Sequence, residues 1–229
     1  MLRQVNEFVD DAERGAMSLP RAVAPKVDAK TRLTLAAEAL FAKGGIEGVS
    51  LREIAAAAEQ GNHHAVQYHF GSRAGLVKAI FVHRMGQMEP RRAQMLEDAE
   101  LAGMLGDART LMEIIFLPQI DLPGQRGNHS YANFLCQYLL RNDGAKFGDF
   151  GVELPPHIGR ALDLLRQRLD FLPECIAQRR LVTASFMFLN MLSAYANDRA
   201  RDAGDESFED AVDDTLDQIV LATCMPLKA

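Results

Sequence analysis

Residues 50–73 read SLREIAAAAEQGNHHAVQYHFGSR, and their spacing predicts two short helices joined by a turn. Ser50 is followed three positions later by Glu53 and then by an apolar run, the pattern in which a hydroxyl and a carboxylate each satisfy an amide of a helix's first turn. A helix therefore starts near Leu51. Leu51, Ile54, Ala55 and Ala58 share one face, and the alanines around them let the backbone come close to a neighbour. Glu59 to Asn62 supplies a glycine and a helix-capping asparagine, which bends the chain. His63 to Phe70 is then long enough for about two turns. Val66, Tyr68 and Phe70 are expected to anchor this second helix. A helix so short buries few side chains, which leaves His63, His64, Gln67 and either His69 or Tyr68 facing outward.

Working outward, Asp28 to Lys43 carries Leu33, Ala36, Ala37, Leu40 and Phe41 at spacings of three and four and ends at Gly44-Gly45, where a residue of positive φ closes a helix. Ile46 and Val49 pack under the loop that leads to Ser50. The module is thus three helices, the last two in a helix-turn-helix arrangement. Beyond it, Ser72 caps a further helix.

Ala37, Leu40 and Phe41, the double glycine, Ser50, Ile54-Ala55, Ala58 and the string AVQYHFGSRAGL at 65–76 resemble the DNA-binding domain of the TetR family of bacterial transcriptional regulators. The resemblance covers about 55 residues, with Glu59 standing where the family usually has glycine and a turn one residue longer than its commonest form. It implies that the start of the Ser50 helix holds phosphate, that residues 63–69 enter the major groove, and that Arg73 lies on the DNA backbone. The residue chemistry agrees. Ser50 and adjacent amides at a helix start suit a phosphate, with Arg52 and Arg73 as cationic neighbours. Gln67 pairs with adenine through two hydrogen bonds, His63 and His64 donate to guanine or phosphate, and Ala65 sits against a thymine methyl. Asn62, Tyr68 and His69 complete the expected DNA-contact set. The histidines are not expected to hold metal, because adjacent residues on a helix diverge by about 100° and the remaining interval is five residues.

Composition sets the frame for this reading. The 229 residues are 48% hydrophobic with a net charge of −6, and a mean hydropathy of −0.09 marks a globular chain. Between Arg21 and Arg84 nine cations face five acids, so this segment is basic and the remainder strongly acidic. That asymmetry suits one end meeting phosphates while the other avoids them. The three cysteines, Cys136, Cys175 and Cys224, lack metal-type spacing and are expected as buried reduced thiols. The longest apolar run, Leu181 to Ala196, is broken by polar residues and short for a membrane span, and Glu7, Asp10 and Asp11 interrupt the early apolar stretch. A cytoplasmic protein with no membrane contact is expected. Residues 1–26 form an arm whose Arg21 and Lys26 can reach a DNA backbone; residues 27–73 are the DNA-binding domain and 74–229 a helical ligand-binding and dimerisation domain.

In that larger part, Leu76, Val77, Ile80, Phe81, Met85, Met88 and Met95 form a stripe past Pro90, which should kink or divide the helix. Helices follow at Ala108 to Leu117, Tyr131 to Leu140 and Ile158 to Leu172. Leu181 to Ala196 is apolar on every side and so needs cover from two directions; a partner chain supplies the second, with Ser207 to Cys224 completing a helical pair. Leu181, Phe188, Leu192, Val212, Leu216 and Ile219 are the expected dimer contacts. Met104, Met112, Phe116, Phe134, Tyr138, Phe186 and Asn190 are the expected lining of an effector pocket, Asn190 orienting the ligand. The expectation is an all-α homodimeric repressor that a small apolar or amphipathic effector releases from double-stranded operator DNA. An activator or effector-independent regulator is the alternative, and an all-helical carrier or enzyme a distant one. No catalytic set, metal cluster or cofactor loop emerges from the residues.

Overall fold

Asp28 accepts from Thr31 N (2.9 Å) and so starts α1, Ala29–Gly44, which Gly45 ends at φ 74°. The computed structural model describes residues 28–62, 64–122, 129–141, 146–196 and 207–227; the expected arm and His63 lie outside them. After α1 come α2 (Leu51–Ala57), α3 (Ala65–Phe70), α4 (Arg73–Leu101), α5 (Ala108–Phe116) with a 3-10 turn at Leu117–Gln119, α6 (Ser130–Arg141), α7 (Pro156–Arg168), α8 (Glu174–Ala196) and α9 (Phe208–Cys224). Every regular element among the described residues is helical, as the periodicity predicts. Five of these helices begin at a side chain that accepts the amide three residues on: Asp28, Ser50, Ser72, Asp107 and Ser207.

The head, α1 to α3, does not stand apart from the rest. Helix α1 lies along α6, and Phe41 of α1 stacks on Phe134 of α6 at 6.4 Å while Phe81 of α4 meets Phe134 at 5.3 Å. All three rings are fully buried, each contributing roughly 1.5–3 kcal/mol by leaving water. One core runs from Leu33 to Ile219 across the boundary expected near residue 73.

Polar groups cross the same junction. Glu38 of α1, 1% exposed, accepts from Arg84 Nε (2.6 Å) and Nη2 (2.9 Å) of α4 and from Ser130 Oγ (2.5 Å) of α6. A buried pair with both carboxylate oxygens engaged fixes the relative placement of three helices even if its net stabilisation is small.

Three expectations are corrected. Pro90 does not divide α4, which is continuous from Arg73 to Leu101. Its ring removes one internal amide bond, but neighbouring helices pack on both halves. Cys136 and Cys224 are half-buried and Cys175 is exposed rather than enclosed. Leu181, Phe188, Leu192, Val212, Leu216 and Ile219 are all buried within a single chain, so they cannot be the surface that meets a partner. Helix α8 is covered on two sides by α6 and α9 of its own subunit. Its polar interruptions are neutralised locally: Thr183 donates to Arg179 O and Ser185 to Leu181 O.

Candidate functional site

The α2–α3 segment has the geometry its residues dictate. Ser50 N donates to Glu53 Oε2 (2.7 Å) and Glu53 N to Ser50 Oγ (3.2 Å), so the reciprocal cap is formed. Hydrogen bonds with Ser50 hold the Glu53 carboxyl below the usual carboxylate range. The Ser50 amide is therefore occupied by the Glu53 carboxylate, as the spacing of the two residues predicts.

Glu59 sits in the bend at φ 55°. It occupies the left-handed region at the position where glycine was noted as the usual residue, and a β-carbon is disfavoured there. Asn62 Oδ1 then accepts from His64 N (2.9 Å), closing the turn that precedes α3. Helix α3 ends at Gly71, φ 70°, and Gly75 follows where an added β-carbon would stand 2.1 Å from Phe70 O. The close return of the chain from α3 into α4 therefore requires glycine at 75.

On α3, His64 and Gln67 are exposed, Tyr68 is 83% exposed and His69 is half-buried. Tyr68 was expected as an anchor; with Val66 and half-buried Phe70 filling the contact with the core, its ring projects outward, edge-on to His69 at 5.0 Å. Ala65 is 5% exposed and packs inside the head, so it cannot touch a base. Arg73 is also redirected. Its Nη1 donates to Ile46 O (2.5 Å) and Val49 O (2.6 Å), its guanidinium lies 5.8 Å from the Phe41 ring centre, and Glu47 is 3.6 Å away. It clamps the loop before α2 instead of reaching for DNA. Arg52 on α2 remains exposed. The outward surface is thus Arg52, His64, Gln67 and Tyr68, side chains that donate, accept and stack.

A cavity of about 70 Å³ lies in the body among α4, α5, α6, α7 and α8. Of the seven residues expected around an effector, Phe116 lines it. Met112 and Phe134 are fully buried outside it, and Tyr138 lines a cleft between head and body with Arg73, Lys78 and Arg141. Met104, 43% exposed, and Asn190, exposed, face solvent, and Phe186 is half-exposed; these are corrected as pocket residues. The helical pattern of α8 puts Ser185 and Leu189 on the cavity side and Asn190 on the opposite one. The residues missed are Arg92 and Gln119, both buried and both on the cavity wall. Arg92 carried a readable signal, a cation in the apolar series Met88, Arg92, Leu96.

No helix among the described residues is long and apolar enough to cross a membrane. No group of three or more metal-binding side chains occurs among them. No curated protein matches the chain. A solved structure described as "Molecular basis for control of antibiotic production by a bacterial hormones" shares 18% identity over 86% of this chain and 98% of its own, with a TM-score of 0.41, a likeness too loose to say anything of the body. Residues 33–80, which hold most of α1, all of α2 and α3 and the start of α4, match the family of bacterial regulatory proteins called tetR. That head is similar to the DNA-binding domain of the tetR family of bacterial regulatory proteins.

Proposed function

We propose that the protein is a homodimeric repressor that reads operator DNA with α3 and leaves it when a small effector enters the body. The observation that carries this is the outward set of Arg52 on α2 with His64, Gln67 and Tyr68 at α3, a short helix whose entry turn and exit are fixed by local contacts. Gln67 is the base reader, pairing with adenine, while Arg52 and Tyr68 engage the backbone and the groove wall. One such helix spans few base pairs, so two copies related by a two-fold axis are needed for a specific site.

The partner surface lies on the outer sides of α8 and α9, where Thr183 and Asn190 are exposed, Phe186 is half-exposed and Leu221 is 73% exposed. These replace the buried residues first assigned to it. Helix α4 supports a link between effector and DNA: Met85, Met88 and Arg92 line the cavity, and Arg84, on the same helix, holds Glu38 of the head. An effector that binds better to one arrangement of α4 shifts the spacing of the two α3 helices by that differential affinity.

Electrophoretic shift of DNA taken from upstream of the protein's own gene tests the reading. Gln67→Ala should cost roughly 1–3 kcal/mol and relax preference at one base pair per half-site. Arg52→Ala should weaken binding to all sequences and reduce the salt dependence. Unchanged binding in both variants overturns the assignment.

A further inference from the structure

Arg92 is 3% exposed, yet its guanidinium is poorly matched by the protein around it. Nη2 reaches Met88 Sδ at 3.4 Å, a weak thioether acceptor, and Ile115 O at 3.5 Å, the limit of a hydrogen bond, while Nε and Nη1 have no acceptor. Glu89 is the nearest carboxylate, but its Oε2 stands 4.0 Å from Nη1. Its Oε1 is already engaged by His157 N (2.5 Å) and Nδ1 (2.9 Å). Burial pushes the Arg92 pKa down, which Tyr131 and Glu89 partly oppose. Across the same cavity Gln119, 9% exposed, has its Oε1 without a donor.

Buried donors and acceptors without partners are costly, and a buried cation most of all. Here they converge on one cavity whose remaining wall is mainly apolar, including Met85, Phe116, Leu135, Leu162 and Leu189. The other charged groups on the wall are committed elsewhere: Asp149 Oδ1 accepts from Gly151 N, and Lys146 pairs with Glu174 at 3.3 Å. An apolar wall with a guanidinium whose Nε and Nη1 lack acceptors selects a molecule with a hydrocarbon body and an anionic oxygen head. A carboxylate supplies the acceptors that Nε and Nη1 lack and a charge at closer range than Glu89 offers. The cavity is smaller than the 150 Å³ or so that admits a benzene-sized guest, so a short chain fits better than a long one.

We infer that the body binds a short-chain aliphatic carboxylic acid, with Arg92 holding its carboxylate. This rests on the reading of the body as an effector domain and names the effector's chemical class.

The test uses the full chain with propanoate, propanamide and propanol as probes, titrated by ligand-observed NMR. Propanoate should bind about tenfold tighter than propanol, the worth of a charge-assisted hydrogen bond. Arg92→Met should bring the three within about threefold of one another, because only the cation distinguishes them. Should Arg92→Met fail to fold, Arg92→Lys keeps the charge but loses the planar fork, and a weaker preference for propanoate is expected. Propanol binding as tightly as propanoate, or a propanoate preference that survives in Arg92→Met, overturns the inference while leaving an effector cavity in place. If none of the three binds at all, the effector reading falls with it.

Discussion

Glu59 is the clearest case of a residue at odds with its backbone. At φ 55° it pays the left-handed penalty that glycine avoids. Glu59→Gly should therefore stabilise the protein by about 1 kcal/mol, after part of the relief is offset by the freer unfolded chain. Chemical denaturation reads the difference, and a loss of stability would show that the bend is not strained. Gly75→Ala should do the reverse, because the added carbon meets Phe70 O. The same scale shows what sequence could and could not deliver. Glu38, Arg84 and Arg92 each fall within an apolar helical stripe, beside Ala37, Met85 and Met88 respectively, and a charge in such a stripe announces a buried polar contact. Their partners were not legible, because Glu38 meets Arg84 and Ser130 across 46 and 92 residues of chain. Arg73 misled for a related reason: its carbonyl acceptors belong to the loop at Ile46 and Val49, and backbone acceptors leave no mark in side-chain pattern.

Between elements, the Glu38, Arg84 and Ser130 contact sets how the head is carried. Glu38→Ala should destabilise by about 3–5 kcal/mol, since it strands the buried guanidinium, whereas adding Arg84→Met should recover much of the loss. Urea unfolding of the two variants separates these outcomes. His83, half-buried beside Arg84 on α4, gives a pH signature. Burial, then the Arg84 charge, lowers its pKa below the ordinary 6.5, against weaker pulls from Glu38 and Asp28, and burial lowers His129 likewise. The unfolded chain then takes up protons before the folded one does, so stability is full above about pH 6.5 and declines as the pH falls toward the depressed folded values. Tm should drop on acidification through that window, and His83→Gln with His129→Gln should flatten the slope. Helix existence was readable at this scale, and so were the caps at Ser50 and Ser72. What covers each helix was not: an all-round apolar α8 looks the same whether its second cover is a partner or its own α9.

At the level of the whole molecule, the proposed dimer places its contact on the outward sides of α8 and α9. Leu221→Glu sets a charge at a residue that is 73% exposed in one chain, so the monomer should fold unchanged while sedimentation reports the loss of the dimer. A variant that stays dimeric would move the interface elsewhere. The account as a whole turns on α3 reading base sequence from a symmetric pair of heads. Selection from a pool of randomised duplexes measures this directly, run in parallel on the unaltered protein and on Gln67→Ala. Enriched sequences should converge on a near-palindrome with half-sites about one helical turn apart, and Gln67→Ala should lose preference at one matching base pair in each half. A pool that remains random after selection, or an identical motif from both proteins, would contradict it.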